Sequence, residues 1–85
     1  MSIEDYSFVL SGKFRKKVFM ELKRKRTPSQ IAKDIKASTT QVSRALKQLE
    51  ERKLVECLTP GSRMGKIYEL TAKGKDLLAE IERNS

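Results

Sequence analysis

Hydrophobic residues recur at helical spacing in two short segments within residues 27–54, and a polar turn separates the two. The first segment covers about residues 28–35, where Thr27 is a good N-cap and Pro28 suits the first helical position. The second covers about residues 39–53, and Ser38 or Thr39 can cap it. Four apolar side chains share one side of this second helix: Val42, Ala45, Leu46 and Leu49.

The opposite side of the second helix is small, polar and basic. Its residues are Thr40, Arg44 and Lys47 at the centre and Gln41, Ser43 and Gln48 on the flanks. Such a face can enter a major groove and reach base edges. Gln41 can pair bidentately with adenine and Arg44 with guanine, each pair giving about 1–3 kcal/mol of discrimination. Lys47 is a point charge better suited to phosphate, and Gln48, further along, is expected to face solvent.

Two more helices are predicted, one on each side of this pair. The earlier runs from about residue 12 to 25 and can be capped by Ser11, and the later covers residues 72–83 and can be capped by Thr71. Their apolar stripes are Phe14, Val18, Phe19 and Leu22 in the earlier helix and Leu77, Leu78 and Ile81 in the later one. The later helix either closes the core or pairs with its counterpart in a dimer.

Residues 54–58 and 67–70 have strand character, and the segment between them carries two glycines and a proline. This pattern predicts a β-hairpin with a basic loop over residues 59–66. Cys57 is expected to pack at one face of the hairpin rather than to serve as a reactive thiol.

The N-terminal residues contain an apolar cluster of Tyr6, Phe8, Val9 and Leu10, which is too extensive to remain exposed. It packs either under the first predicted helix or against a second copy of the chain. The predicted order is helix, helix, helix, strand, loop, strand, helix. We therefore predict an α+β, mostly helical fold in one domain over residues 1–85, with residues 1–11 as an N-terminal extension.

The formal net charge is +8, and it is concentrated in two regions. Residues 12–26 contain eight basic side chains and a single acid, and residues 27–53 contain six bases and three acids, whereas the remainder is balanced or acidic. A polyanion-binding face requires such clustering, although a lysine-rich solvated surface would give the same count. The basic run at residues 23–26 is better explained by the negative end of the helix dipole than by DNA contact.

The chain has one cysteine and no histidine, which excludes an internal disulfide and argues against a Cys/His metal site. It has no Gly-rich phosphate loop and no base–nucleophile pair, so neither an enzyme nor a cofactor is expected. No apolar run approaches ~18 residues, so no membrane partner is expected. The N-terminus has no signal-peptide charge pattern, and a cytoplasmic protein is predicted.

Four segments carry a resemblance to a known family: TPSQIAKDI, STTQVSRALKQLEERKLVE, the loop PGSRMGK and IYELTAKGKDLL. Over about residues 12–83 they resemble the winged helix-turn-helix family of DNA-binding proteins. The pattern V-S-R-A-L-x-x-L-E-x-x-x-L-V is a common form of a recognition helix running into the wing. Tyr68, Leu70, Thr71 and Gly74 are similar to a segment of MarR-like and related small prokaryotic regulators, and the chain looks most like the short single-domain archaeal members.

The resemblance implies a three-helix core, a two-stranded β-hairpin wing and a C-terminal helix in a transcriptional regulator that binds double-stranded DNA. A recognition helix at about residues 39–53 would dock in the major groove, and the wing at residues 59–66 would reach the flanking backbone or minor groove. The recognition-helix candidates are Thr39, Thr40, Gln41, Ser43, Arg44 and Lys47. The wing candidates are Arg63 and Lys66, and the positions that commonly meet phosphate are Thr27, Ser29 and Gln30.

A homodimer is also expected, with two recognition helices about 34–36 Å apart on a pseudo-palindromic site. Its candidate interface combines residues 8–10 with the apolar stripe of the last helix. ArsR-like relatives sense metals through cysteine clusters that this chain lacks. The competing interpretation is a winged-helix module that binds protein or binds nucleic acid without sequence choice. The polar face of the second helix argues against a protein adaptor, and RNA binding lacks an aromatic stacking platform.

Overall fold

A computed structural model describes residues 3–62 and 65–84, which form five helices and one β-hairpin. The elements in chain order are α1 (Ile3–Leu10), α2 (Lys13–Glu21), α3 (Pro28–Ile35), α4 (Thr39–Glu51), β1 (Val55–Cys57), β2 (Tyr68–Leu70) and α5 (Ala72–Arg83). The mostly helical α+β fold with a winged helix-turn-helix arrangement is therefore confirmed. The bounds of α3 and α5 agree with the sequence prediction, whereas α4 ends two residues early.

The N-terminal residues form a helix, α1, that the sequence pattern did not predict. Its acidic first turn, Glu4 and Asp5, suits a helix N-terminus, but three successive apolar residues at 8–10 obscure the helical spacing. Val9 is fully buried, and α1 packs against α2 and α5. Of the two placements expected for this segment, packing within the same chain is the one observed.

The helix α2 ends at Glu21, four residues earlier than predicted, because the following chain is drawn to the hairpin. The backbone N–H of Arg26 donates to the Tyr68 carbonyl (3.1 Å), and the Tyr68 N–H donates to the Arg26 carbonyl (2.8 Å). A helix continuing to residue 25 could not make this bridge. Ser11 is also not the predicted cap, since the N-cap residue of α2 is Gly12 and the Ser11 hydroxyl donates to the Phe8 carbonyl (3.1 Å).

The core is one cluster to which every helix and both strands contribute. Its members include Val9, Phe19, Ile31, Leu46, Val55, Leu70 and Leu77. The last helix closes this core: Leu77, Leu78 and Ile81 are at most 9% exposed. The expectation that this stripe forms a dimer interface is therefore wrong, and so is its extension to Val9, because these residues are already buried in their own chain.

The two strands pair antiparallel with Val55 opposite Leu70 and Cys57 opposite Tyr68. The ladder continues as Leu58 N–H donates to the Ile67 carbonyl (2.7 Å), and Cys57 is half-buried, as a position at one hairpin face requires. The start of α5 is hydrogen-bonded to the segment that follows α4. The Thr71 hydroxyl donates to the Lys53 carbonyl (2.6 Å) and, as the N-cap, accepts from the Gly74 N–H (3.1 Å).

Candidate nucleic-acid interface

Both helices of the helix-turn-helix begin with a capping box. In α3 the Thr27 hydroxyl accepts from the Gln30 N–H (3.2 Å), and the Gln30 side-chain oxygen accepts from the Thr27 N–H (3.0 Å). In α4 Ser38, rather than Thr39, is the N-cap, and Gln41 completes the box. Each box fixes where a helix starts. The turn between the helices contains no glycine, and Lys36 supplies the left-handed conformation there (φ 56°).

The helix α4 separates a buried side from an exposed one, as the spacing predicts. Val42, Leu46 and Leu49 are fully buried, and Ala45 is nearly so. The six recognition-helix candidates are all exposed: Thr39, Thr40, Gln41, Ser43, Arg44 and Lys47. Neither Arg44 nor Lys47 forms an ion pair with any residue in the described ranges. The charge on this face is therefore available to a ligand.

A cleft of about 400 Å³ lies between α3, α4 and the wing. It brings together five of the residues singled out from the sequence, with Pro28 and Gly65 completing the wall: Thr27, Ser29, Thr39, Ser43 and Lys66. Hydroxyl groups and a lysine in a shared groove suit a phosphate backbone. Gly65 adopts a positive φ of 68° just before Lys66. Arg63, the other wing candidate, lies outside the described residues.

A second cleft, of about 310 Å³, borders the opposite flank of α4. Gly12, Phe14 and Arg15 form its wall at the start of α2, and Gln41, Arg44, Ala45 and Gln48 form its wall on α4. The exposed face of α4 is consequently a ridge with a groove on either side. A ridge of this width, one helix across, matches the major groove, which is about 12 Å wide.

The second cleft contains an anchor that sequence analysis missed. Arg15 donates to the Gln48 side-chain oxygen through Nε (3.2 Å) and Nη2 (3.1 Å), and its Nη1 donates to the Phe8 carbonyl (2.6 Å). Its guanidinium also stacks 3.9 Å from the centroid of the Phe8 ring. Gln48 is therefore held by α2, and the expectation that it faces solvent is wrong.

A second missed contact ties α1 to the end of α4. The carboxylate of Asp5, 4% exposed, pairs with Lys73 Nζ (2.8 Å) and with Arg52 Nη1 (3.4 Å). The hydrogen bond from Lys73 lowers the pKa of Asp5 below its ordinary value of 3.8, and Arg52 lowers it further, although burial opposes both. The sequence carries no signal for this contact, because its partners lie far apart along the chain.

The basic run at residues 23–26 is used partly for internal pairing. Arg26 pairs with Glu21 (3.0 Å) and also with Asp34, and Lys23 pairs with Glu82 (2.7 Å). The predicted role at the helix terminus is wrong, because the last turn of α2 contains no basic residue. The run instead pairs with acidic side chains, which leaves the exposed charge of α4 as the stronger candidate for a polyanion.

The described residues also bear on two other kinds of site, a membrane span and a metal centre. None of the helices is both long and apolar enough to pass through a bilayer. Across residues 3–62 and 65–84, no three His, Cys, Asp or Glu side chains come together as a metal-binding group would require.

Solved structures of bacterial proteins have the same fold. The reduced form of the transcriptional regulator YodB from B. subtilis is 25% identical, with a TM-score of 0.77 over 98% of this chain and 86% of YodB. Wild-type apo MarR from E. coli is 22% identical, with a TM-score of 0.75 over 93% of this chain and 62% of MarR. A ZitR mutant from Lactococcus lactis is 23% identical, with a TM-score of 0.68 over 81% of this chain and 48% of ZitR.

No curated protein sequence matches the chain. A family model does, over residues 3–83, and its description is the N-terminal domain of the methanogenesis regulatory protein FilR1. The match takes in all seven elements of the fold, from α1 to α5. The chain belongs to the FilR1 N-terminal domain family and is a MarR-like winged-helix domain of transcription regulation.

Proposed function

We propose that the protein is a sequence-specific regulator that binds double-stranded DNA, with α4 in the major groove and the wing on the flanking backbone or minor groove. The exposed face of α4 carries this proposal. Its base-reading and phosphate-binding side chains are free of ion pairs with the described residues, and they stand between two clefts. The family's regulatory description supports it.

Each candidate residue has a chemical role in this arrangement. Arg44 offers a planar fork that matches guanine O6 and N7, whereas Lys47 offers a point charge for phosphate. Thr27, Ser29 and Gln30 sit at the start of α3, where the positive end of the helix dipole favours a phosphate. Thr39, Thr40 and Ser43 provide hydroxyls for bases or phosphates, and Lys66, with Arg63, supplies the charge of the wing.

We further propose that the chain is one domain and acts in the cytoplasm as a homodimer on a pseudo-palindromic site. Two recognition helices would then lie about one helical turn apart. The apolar stripe of α5 is unavailable for the contact. Among the described residues Ile3, at the start of α1, is the most exposed large apolar side chain, at 80%, so α1 is where we place the interface.

Selection from a random duplex library, followed by binding titrations at several salt concentrations, tests the proposal. We expect an enriched two-fold-symmetric site. The Arg44→Ala variant should lose discrimination at one base pair, by about 1–3 kcal/mol. The matched control is Lys75→Ala, which removes one exposed positive charge from α5 and should leave binding unchanged.

Other outcomes would change the conclusion. Salt-sensitive binding with no enriched site would support an architectural nucleic-acid binder instead. No binding to any duplex at low salt would remove both nucleic-acid functions and make a protein partner the next hypothesis. An enriched site without symmetry would contradict the homodimer while leaving DNA recognition in place.

A further inference from the structure

The side-chain oxygen of the exposed residue Gln41 accepts two hydrogen bonds from Ser38. It accepts from the Ser38 backbone N–H (3.3 Å) and from the Ser38 hydroxyl (3.3 Å), while that hydroxyl accepts from the Gln41 N–H (3.1 Å). An amide oxygen has two lone pairs, and both are used here. Because a backbone N–H can only donate, the atom facing it must be the oxygen, so the chemistry itself fixes which way the amide points.

The remaining hydrogen-bonding capacity of Gln41 is its amide nitrogen. This NH₂ group makes no hydrogen bond with any residue in the described part of the chain, and Gln41 lines the 310 Å³ cleft beside Arg44. Gln41 therefore presents two donors and no acceptor to whatever enters the groove. Gln30, in the equivalent position of α3, differs because its oxygen accepts one bond only, from the Thr27 N–H (3.0 Å).

We propose that Gln41 reads the major groove as a donor only and so favours guanine at the base pair it meets. This inference rests on the proposed function of α4. Guanine presents two acceptors, N7 and O6, on its major-groove edge. Adenine requires its partner amide both to donate to N7 and to accept from the N6 amino group, and cytosine presents an N4 donor alone. A glutamine without a free lone pair can therefore make one hydrogen bond to adenine N7 or to thymine O4 and none to cytosine, whereas guanine can accept from both hydrogens of its amide.

The same geometry bears on the adenine pairing expected from the sequence. That pairing needs the Gln41 oxygen, so it requires the α4 capping box to open when DNA binds. Keeping the cap closed avoids leaving the Ser38 N–H and hydroxyl without partners at the protein–DNA contact, where an unmatched donor is costly. Guanine recognition imposes no such exchange.

The experiment compares base preference in four proteins by library selection, with competition titrations on single-base variants of the selected site. The wild type should prefer guanine at one base pair. In Gln41→Glu one carboxylate oxygen still accepts from the Ser38 N–H, as in the common form of the capping box. The other carboxylate oxygen replaces the outward amide NH₂, so the side chain presents an acceptor instead of donors. Its preference at that base pair should move to cytosine, whose N4 group donates, with at least a roughly tenfold change in the guanine-to-cytosine ratio.

Ser38→Ala gives an independent arm. It deletes the hydroxyl that fills one lone pair of the Gln41 oxygen while leaving the backbone N–H in place. One acceptor site is then free, so adenine should become tolerated and the guanine-to-adenine ratio should fall. Circular dichroism and thermal melting establish that each variant is folded before binding is compared.

The matched control is Gln30→Glu, which makes the same change in a capping box one helix earlier. It should weaken binding by a similar factor on every sequence, because it opposes phosphate, and should leave base preference unchanged. Two results would overturn this inference and leave the proposed function standing. One is a folded Gln41→Glu protein with unaltered base preference. The other is a wild type that selects adenine at the base pair whose preference changes in Gln41→Glu. A wild type that enriches no site would overturn the proposed function and this inference together.

Discussion

Polar side chains on the exposed face of α4 are available to a ligand, whereas those near its C-terminal end are bound by other parts of the protein. Arg44 and Lys47 are exposed and unpaired with the described residues. Gln48 and Arg52, one turn further, are held by Arg15 and Asp5. The difference lies in what packs nearby, because α1 and the start of α2 cover the later end of the helix and leave the earlier face open.

The anchored end therefore sets the orientation of the exposed face. The Phe8 ring lies between two guanidinium groups, 3.9 Å from that of Arg15 and 4.3 Å from that of Arg52. These contacts fix α4 against α1 and α2 without using Arg44 or Lys47. Substitutions at the anchored end should change stability, whereas substitutions on the exposed face should change binding.

The largest effect on stability is expected from Gly74→Ala. A Cβ atom at Gly74 would lie 2.0 Å from the Leu54 carbonyl oxygen, so α5 would have to move away from the end of α4. The gain in helix propensity from alanine, about 1 kcal/mol, is smaller than this overpacking, and a net loss of about 3 kcal/mol is expected. Urea unfolding measures it.

The control for this change is Gly61→Ala in the wing, where an added Cβ would meet nothing within 4 Å. Its stability should stay within about 0.5 kcal/mol of the wild type. If Gly74→Ala were equally harmless, the close approach of α5 to Leu54 would not be a constraint on the anchored end.

Arg15→Ala is expected to cost about 2 kcal/mol, since it removes the contacts to Gln48 and the Phe8 carbonyl together with the stacking on Phe8. Base preference should be retained, because the Arg15 guanidinium, although it lines the 310 Å³ cleft, is held by Gln48 and the Phe8 carbonyl. Chemical denaturation and library selection on the same protein measure both. Lys13→Ala, an exposed charge two residues earlier, is the matched control; a selective loss of base preference in Arg15→Ala with full stability would contradict the anchoring role.

Asp5→Asn should lower stability by about 1.5 kcal/mol at pH 7, because the ion pairs with Lys73 and Arg52 are lost. The pKa of Asp5 is lower in the folded protein than its ordinary value of 3.8. The carboxylate therefore contributes its full stabilisation above that value and loses it as the pH falls through the folded pKa. The difference between wild type and variant should disappear at low pH.

Urea titrations at pH 7 and at a series of pH values below 3.8 test this dependence. Glu4→Gln is the control, because it removes the same charge from the neighbouring exposed position and should show little difference at either pH. A gap for Asp5→Asn that stayed constant down to the lowest pH would mean that packing, and not charge, gives Asp5 its role.

Helix caps and the two sides of α4 could be predicted from the sequence, because they depend on local residue types and spacing. Thr27, Ser38 and Thr71 cap helices as their residue types predict, and the 3.6-residue spacing correctly separated the two sides of α4. These features depend on neighbours within a few positions. The family resemblance proposed the residues of the 400 Å³ cleft in three separate sets, and the fold brings them together.

The contacts that sequence reasoning missed join residues far apart in the chain. Arg15 meets Gln48 across 33 positions, and Asp5 meets Arg52 across 47. Nothing in the spacing of α1 shows that it is a helix, so the burial of Asp5 could not be anticipated, whereas closure of the core by α5 was one of the two expected placements of that helix. A glutamine at the third position of a helix was equally ambiguous, since the residue type suits both a cap and a base contact.

The smallest effect on stability is expected from Lys47→Ala, at less than about 0.5 kcal/mol, because Lys47 is exposed and forms no ion pair with the described residues. Its effect on binding should instead be uniform across DNA sequences, with the slope of log affinity against log salt falling by about 1. Titrations on the selected site and on an unrelated duplex, at four or more salt concentrations, measure this slope. Lys75→Ala should leave it unchanged. If Lys47→Ala weakened binding only to the selected site, Lys47 would be contacting a base. If it destabilised the fold, the exposed face of α4 would contribute to stability as well as to binding, and the distinction from the anchored end would be wrong.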